Sequence, residues 1–454
     1  MGERIIKIAV LNDGWQFIYG NGNFDKILDK YSWQINNKKF EFDVKLIKHD
    51  DVLEDKIRNF DAILVGAVDE YINLYRLKLL GKTDEYSKWI KNIQNFIKNG
   101  GGYGGHCGGA NLICELYNEP ETFLERAIKA VNFGIVETKT YQKGSIPVLD
   151  QIGGLPPTAQ EGAAYMNYDG FGPNAPQMGG IPLDFIIKDR NHPILKGYNR
   201  ETIKIFWGGG PGLIPGDKAK VLLSYPKEEL SSLYPLHVWE YVGVGKGGRI
   251  GMIVGLIKSI LWEAIEEIEM RRLLAKSLRE ISLKKLTMEE FIKRIYERAR
   301  DEKEAKIILK ILKEGLLKAK DWRRLDQIMP VKRANMVAMV EEIYGDGRII
   351  ISGPHPEDKI WDNGRIVDVE DTKENCLWEG FMRWKDYKDL NRENAWLLRR
   401  EAAWIAGLDE DELPPIPEEY LEKEAIPTKP IKIEERKETF IEALIRFFRR
   451  LFGK

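Results

Sequence analysis

The chain has 454 residues, more than one hydrophobic core usually holds, so the sequence predicts one large domain with additions, or two domains. Apolar residues make up 43% and charged residues 31%, which is typical of a globular protein and excludes a largely disordered one. The 70 Lys and Arg residues nearly cancel the 71 Asp and Glu residues, so the overall charge gives no reason to expect a nucleic-acid partner.

Cysteine content and the N-terminus indicate a cellular setting. Cys107, Cys114 and Cys376 are too few and too irregularly spaced for a disulfide framework or a four-cysteine zinc site. We therefore expect a reducing, cytoplasmic environment, with no metal and no cofactor. The N-terminus lacks the pattern of a secretory signal, and no run of roughly 20 apolar residues predicts a membrane span.

The first third of the chain predicts a parallel sheet with crossover helices. Short β-branched runs at residues 5–11, 42–47 and 62–65 have the length and composition of strands. Apolar residues at helical spacing in residues 86–98 predict a crossover helix that leads into a glycine-rich stretch. This alternation is typical of an α/β domain.

The middle of the chain predicts that this domain is interrupted. Residues 130–255 are strand-like and rich in Gly and Pro, whereas the following segment of Lys, Glu, Leu and Ile predicts a helical insertion. Strand-like sequence resumes at residues 336–340 and 348–352. The predicted units are one α/β domain made of residues 1–255 and 330–420, and the helical insertion of residues 256–329 between them.

The C-terminal part predicts a helix, a linker and a second helix. A helix rich in Trp and Arg follows Glu393 and ends at Gly407, because glycine favours helix termination. Residues 421–437 are charged and contain two prolines, which indicates an exposed linker. In residues 438–454 the apolar side chains share one helical face, which predicts an amphipathic helix that contacts an anionic membrane surface or a protein partner. The insertion is predicted to form a small helical bundle that serves as a lid or as a dimer surface, which leaves the oligomeric state open.

A glycine-rich turn around Cys107 carries the strongest chemical signal. Gly105 and Gly109 flank Cys107 at two residues on either side, as a nucleophile on a tight strand-to-helix turn requires, because that turn has no room for Cβ atoms. A helix that begins after the cysteine directs its N-terminus at the sulfur and favours the thiolate. The predicted oxyanion donors are the amide of Gly108 and the loop at Gly66 and Ala67.

A base and an orienting carboxylate follow a later predicted strand. His355 and Glu357 stand in the run Ser-Gly-Pro-His-Pro-Glu directly after that strand. His355 is expected to shuttle the proton between sulfur and leaving group, while Glu357 fixes the imidazole tautomer and stabilises its cation. Each motif alone is weak, since a glycine-rich loop around a buried structural cysteine explains the first equally well. Their order and their positions after strands favour a Cys-His-Glu triad.

Three stretches carry a family resemblance: Gly-Gly-Gly-Tyr-Gly-Gly-His-Cys-Gly-Gly-Ala at residues 100–110, Ile-Phe-Trp-Gly-Gly-Gly-Pro at 205–211, and Gly-Arg-Ile-Ile-Ile-Ser-Gly-Pro-His-Pro-Glu at 347–357. The Cys and His-x-Glu motifs resemble those of class I glutamine amidotransferases. More closely, the three stretches resemble the amidotransferase-like domain found at the N-terminus of eukaryotic biotin-protein ligases and in stand-alone microbial proteins. The resemblance covers roughly residues 5–255 and 330–415. It implies a flavodoxin-like parallel sheet with flanking helices and a Cys-His-Glu triad.

The resemblance implies an enzyme that hydrolyses an amide, or an amidotransferase-like enzyme, acting through a thioester on Cys107. Glutamine amidotransferases usually carry Gln four residues after the cysteine, whereas this chain has Asn111, so the expected substrate is a peptide or small-molecule amide that need not be glutamine. Two alternatives stay open. One is a non-catalytic binding or scaffold protein on the same fold, and the other is an intracellular cysteine peptidase of the same superfamily.

Further residues are candidates for the pocket. They are Asp13, Gly14, His106, Trp207, Gly208 and Gly209. The first two follow the first predicted strand, at the sheet edge where ligands of α/β proteins gather. His106 is an alternative base, although adjacent residues at a tight turn point in different directions. The glycines after Trp207 allow the backbone to approach a ligand closely.

Overall fold

The structure is a computed structural model. It describes residues 2–12, 24–66, 70–120, 123–142, 181–230, 237–241, 293, 322–328, 332–357, 366–368, 383–384 and 394–421. The strands are β1 (Gly2–Leu11), β2 (Ser32–Ile35), β3 (Lys38–Ile47), β4 (Ala62–Val65), β5 (Gly102–His106), β6 (Glu115–Leu116), β7 (Lys139–Tyr141), β8 (Ile181–Ile187), β9 (Thr202–Trp207), β10 (Gly212–Ile214), β11 (Lys220–Ser224), β12 (His237–Tyr241), β13 (Trp322–Ile328), β14 (Val337–Tyr344), β15 (Gly347–Ser352), β16 (Ile366–Asp368) and β17 (Arg383–Trp384). The helices are α1 (Phe24–Leu28), α2 (His49–Leu53), α3 (Glu70–Leu79), α4 (Thr83–Lys98), α5 (Gly108–Ile113), α6 (Phe123–Ala130) and α7 (Ala395–Ile405), with 3-10 turns at Lys56–Asn59, Glu410–Glu412 and Glu418–Tyr420.

Five parallel strands form the centre of a large sheet, in the order β3-β1-β4-β5-β15. All four residues of β4 and the last four of β1 are buried, as expected for parallel strands that are covered on both faces. Helices flank this sheet, so the chain is an α/β protein, as the sequence predicts. The predicted strands at residues 5–11 and 62–65 lie in β1 and β4.

Antiparallel strands extend both sides of the parallel centre. On one side, β2 pairs with β3 through a two-residue turn at Asn36 and Asn37, whose φ angles are 48° and 62°. Two successive positive φ angles match the twist of a tight hairpin, and asparagine tolerates them. The sequence predicted a strand at residues 42–47, whereas β3 already begins at Lys38. Its hairpin with β2 was not predicted.

On the other side, β14 pairs antiparallel with β15, and β10, β7 and β6 continue the sheet. A branch of β11, β8 and β9 joins at β14. The sheet is therefore mixed, with a mostly parallel centre: β14 and β15 are joined by the short turn at Gly345 and Asp346 and are antiparallel, whereas β6 and β7 at the far edge are parallel.

The structure describes only parts of the predicted insertion and tail. β13 pairs antiparallel with β12, so the helical segment predicted for residues 256–329 does not extend to its predicted end. The tail helix at 438–454 lies outside the described residues, as does the linker apart from its first residue, Leu421. Among the described residues, no helix combines the length and apolar character that crossing a membrane requires.

Helix α7 lies in the core although it comes near the end of the chain. It packs against β4, β5 and β15, and nine of its eleven residues are buried. Arg400 anchors it, because its guanidinium donates to the carbonyl oxygens of Ile194 at 2.8 Å and Pro414 at 2.6 Å. The helix ends before Gly407, whose φ of 82° is typical of a glycine helix terminator. Helix α7 therefore covers one face of the sheet at β5.

Candidate active site

Cys107 lies on a sharp turn between β5 and α5. Its φ of 51° and ψ of −100° are strained for a residue with a side chain, at a cost of about 1–3 kcal/mol. The flanking glycines permit the turn: a Cβ on Gly109 would lie 2.0 Å from the carbonyl oxygen of Val65, and one on Gly105 would lie 2.7 Å from that of Gly109. The cysteine side chain remains partly exposed, while Cys114 on the same segment is buried. The turn thus presents one partly exposed thiol at the carboxyl edge of the sheet.

The pairing of β5 with β15 brings the second motif to the cysteine. His106 is in register with Ser352, and the amide of Cys107 donates to the carbonyl oxygen of Ser352 at 2.8 Å. The chain then turns so that the amide of His355 donates to the carbonyl oxygen of Phe206 at 2.8 Å. Two parallel strand ends therefore deliver Cys107 and His355 to one place.

His355 stands between a thiol and a carboxylate. Its Nδ1 lies 3.0 Å from Oε1 of Glu357, and an electrostatic interaction with Cys107 acts on the same imidazole. The ring of Phe206 packs edge-on against the imidazole at a centroid distance of 5.7 Å. His355 and Glu357 are both 0% exposed. Only the cysteine of the three is accessible to a substrate from solvent.

His106 makes a second chain of hydrogen bonds behind the triad. Its Nδ1 lies 2.7 Å from Oε2 of Glu357, and its Nε2 lies 2.7 Å from Oε1 of Glu401 on α7. Because both ring nitrogens are occupied by carboxylates, neither is available to accept a proton from Cys107. The sequence did not point to Glu401, although Gly104 is a signal in retrospect: a Cβ there would lie 2.9 Å from the Glu401 carboxylate.

The buried charges alternate in sign. Burial alone lowers the pKa of His355, but the interactions with Cys107 and Glu357 raise that pKa well above its usual value. Burial likewise lowers the pKa of His106, but Glu401 and Glu357 raise it to about 10. Burial raises the pKa of Glu357, yet the two histidines hold it well below its usual value. These interactions favour the cationic form of both imidazoles and the anionic form of Glu357.

The backbone amides near the thiol differ in their hydrogen-bond partners. Within the described residues, the amide of Gly108 donates to no backbone carbonyl, whereas its neighbours at positions 107 and 109 both do. The amide of Gly109 donates to the carbonyl oxygen of Gly66 at 2.8 Å, so the loop after β4 touches the turn. Ala67, Asp13 and Gly14 lie outside the described residues.

The glycine loop after β9 is buried. Trp207 is 0% exposed, and its indole N–H donates to the carbonyl oxygen of Gly210 at 3.0 Å. Gly208 and Gly209 are also buried. The side-chain amide of Gln142 donates from Nε2 to the carbonyl oxygen of Gly209 at 3.0 Å. Its Oε1 accepts a hydrogen bond from the side-chain Nδ2 of Asn111 at 2.8 Å. Asn111 is thus held in a polar network one helical turn after the cysteine.

Two further buried groups lie near the thiol. Burial lowers the pKa of Arg333 and raises the pKa of Tyr225, and an electrostatic interaction with Cys107 contributes to both pKa values. Arg333 Nε donates to the carbonyl oxygen of Gly210 at 3.3 Å, and the Tyr225 hydroxyl donates to that of Pro211 at 2.8 Å. No motif surrounds either residue, so only the folded structure relates them to the site. In the described part of the chain, no group of three or more His, Cys, Asp or Glu side chains is arranged to hold a metal.

Comparisons with known proteins give little beyond this geometry. No family model matches the chain, and no curated protein matches it. Among solved structures, one similar chain is the cytoplasmic protein STM3548 from Salmonella typhimurium, with 15% identity and a TM-score of 0.22, over 52% of this chain and 82% of that one. The function of the site is therefore inferred from its own geometry.

Proposed function

We propose that the protein is a cysteine-dependent enzyme that cleaves a C–N amide bond through a thioester on Cys107, as a hydrolase or in the manner of an amidotransferase. One observation carries the proposal. A cysteine on a strained strand-to-helix turn interacts electrostatically with a buried histidine, and that histidine is hydrogen-bonded to a buried glutamate. A nucleophile, a base and an orienting group in this order are what acyl transfer requires.

The first half of the reaction transfers the acyl group to sulfur. The thiolate of Cys107 attacks the amide carbonyl carbon, and the amide of Gly108 donates to the oxygen as it becomes negative. The imidazolium of His355 then gives its Nε2 proton to the leaving nitrogen. The C–N bond breaks, an amine or ammonia departs, and a thioester remains on the enzyme.

The second half returns the enzyme to its starting state. Neutral His355 takes a proton from water, and the resulting hydroxide attacks the thioester carbonyl carbon. The C–S bond breaks, the carboxylic acid leaves, and the thiolate and imidazolium are restored. Glu357 stays ionised throughout, because the His355 ring donates from Nδ1 in both of its protonation states and His106 is a second hydrogen-bond partner.

Membership of the class I glutamine amidotransferase-like superfamily, near the N-terminal domain of biotin-protein ligases, is part of the proposal. The resemblance of the Cys107 and His355 motifs supports it, and the parallel strand order around β5 is compatible with a flavodoxin-like fold. We propose a small-molecule or peptide amide as substrate, because Asn111 replaces the glutamine usual at its position. The tail at 438–454 is proposed to contact a membrane surface or a protein partner.

Thiol reactivity tests the triad directly. We expect iodoacetamide to alkylate Cys107 at about pH 6, where a free cysteine side chain is almost wholly protonated. His355→Ala is expected to lower the rate at that pH by roughly 10- to 100-fold, because the thiolate loses its counter-charge. The measurement is the alkylation rate across pH by mass spectrometry, with Cys107→Ala used to subtract Cys114 and Cys376.

A matched control separates catalysis from folding. His192 is also buried, and its Nε2 lies 3.2 Å from Oε2 of Glu341, in a network without a thiol. His192→Ala therefore removes a buried His-Glu pair and is expected to leave the alkylation profile unchanged. An inert Cys107, or one whose rate is the same in His355→Ala, would contradict the enzyme proposal and favour the non-catalytic scaffold. Cleavage of unfolded protein by the active enzyme would identify the peptidase alternative.

A further inference from the structure

A buried ion chain continues beyond the triad into the core. It runs from Cys107 through His355, Glu357 and His106 to Glu401, with successive histidine-carboxylate distances of 3.0, 2.7 and 2.7 Å. All four residues after the cysteine are 0% exposed. In the proposed reaction, His355 is positioned by Oε1 of Glu357 alone. Oε2 of Glu357, His106 and Glu401 have no role in it.

We propose that His106 and Glu401 are positioning residues of this site, which hold Glu357 in place and in its ionised form so that His355 alone carries the mobile proton. The inference rests on the proposed function, since it assigns a role within the same site. Neither residue touches the reacting atoms.

The geometry gives His106 this role in two ways. It holds Oε2 of Glu357 while His355 holds Oε1, so the carboxylate cannot rotate about its own axis without losing a hydrogen bond. It also supplies a positive charge between two buried carboxylates, which would otherwise repel each other and take up a proton. With the cation present, Glu357 has little tendency to accept the proton of His355.

Among the described residues, the charges that act on His106 are those of Glu401 on α7 and of Glu357 on the turn after β15. On its other side lies the apolar ring of Phe24 on α1, at a centroid distance of 5.2 Å. The carboxylate of Glu401 reaches the imidazole because β5 has a glycine at position 104, where a side chain would collide with it. A purely structural ion pair, such as His192 with Glu341, has no connection to a nucleophile.

Removing the cation has an effect of definite sign. Without His106, the negative charge of Glu357 is less neutralised, so the thiolate of Cys107 forms less readily and the acid-side rise of its alkylation profile moves to higher pH. A charge within about 4–6 Å shifts ionisation by about 1–3 pH units, and His106 acts from one carboxylate further away. We therefore expect a shift of roughly one unit, which lowers the rate on the acid side roughly tenfold.

The experiment measures alkylation of Cys107 by iodoacetamide against pH in the full chain, for wild type, His106→Gln and the matched control His192→Gln. Glutamine keeps a hydrogen-bond donor but removes the charge. The upward shift is expected for His106→Gln and not for His192→Gln. Should His106→Gln fail to fold, the double variant His106→Gln/Glu401→Gln replaces it. The double variant removes one positive and one negative charge, so the net charge of the core is unchanged. The same direction of shift is expected there.

Including His355→Ala in the series separates the two proposals. A profile that shifts in His355→Ala but stays at the wild-type position in a folded His106 variant overturns this inference and leaves the triad intact. If the alkylation profile of His355→Ala is the same as that of wild type, the proposed function and this inference are both overturned. An upward shift confined to the His355 and His106 variants supports both.

Discussion

Single glycines determine how closely the two halves of the site approach. A Cβ on Gly210 would lie 1.8 Å from the carbonyl oxygen of Gly353, and one on Gly353 would lie 2.1 Å from that of Pro211. These are backbone contacts, so no side chain can move aside to relieve them. The contact holds the turn that carries His355 against the end of β9.

Gly210→Ala is therefore expected to destabilise the protein by about 1–3 kcal/mol, as overpacking of a core does, and to weaken Cys107 alkylation by displacing His355. Urea unfolding followed by circular dichroism measures the first effect. Gly2→Ala is the control, because a Cβ on Gly2 would meet nothing within 4 Å. Equal unfolding midpoints for the two variants would show that the contact is not tight in solution.

At the scale of elements, one carboxylate joins four segments at the side of the sheet. Glu341 on β14 accepts from Trp404 of α7 at 2.6 Å and from Lys220 of β11 at 2.8 Å, and it lies 3.2 Å from His192. Burial raises the pKa of Glu341, but these hydrogen bonds lower it to about 2. The ionised form is thus the one that binds the segments together.

Glu341→Gln is expected to reduce the free energy of unfolding at pH 7 by about 1–3 kcal/mol, the usual cost of losing hydrogen bonds to a charged group. Since the folded pKa is depressed to about 2, from about 4.3 in an unfolded chain, the stabilisation is present above pH 4.3 and is lost as the pH falls towards 2. Urea titrations at pH 7 and pH 3 measure this. The difference in the free energy of unfolding between wild type and variant should be smaller at pH 3 than at pH 7. An equal difference at the two pH values would contradict this role of the ionised carboxylate.

At the scale of the whole molecule, the last described α-helix and the first strand contribute to the same hydrophobic core. α7 packs on β4, β5 and β15, and the Trp33 indole of β2 donates to the carbonyl oxygen of Glu412 at 2.8 Å. The two ends of the described chain therefore depend on each other, and neither is expected to persist alone.

Hydrogen exchange followed by mass spectrometry tests this dependence. We expect peptides from β1, β4 and β5 to exchange most slowly, and the peptide of α7 to exchange at a similar rate, because opening α7 exposes the same core. Under mildly destabilising urea, these peptides should lose protection together. Early exchange of α7, with β5 still protected, would show that the helix is a separate unit.

Local sequence patterns determined part of this protein. Apolar runs of strand length predicted β1, β4 and β15 because buried parallel strands need a continuous apolar surface, and the glycines around Cys107 predicted the turn because no other residue leaves enough room. Glu357 was predicted as a partner of His355, because it stands only two residues further along the chain.

The tertiary structure decided what those patterns do not contain. His106 meets Glu357 across 251 positions of the sequence and Glu401 across 295, and both contacts depend on β15 lying next to β5 and on α7 packing behind them. The β2–β3 hairpin, the antiparallel strands beyond β15 and the buried position of Trp207 likewise depend on neighbours distant in sequence. The periodicity and spacing of residues in a segment reflect only the local structure of that segment. Strand order and helix packing depend instead on how distant segments bury the core together.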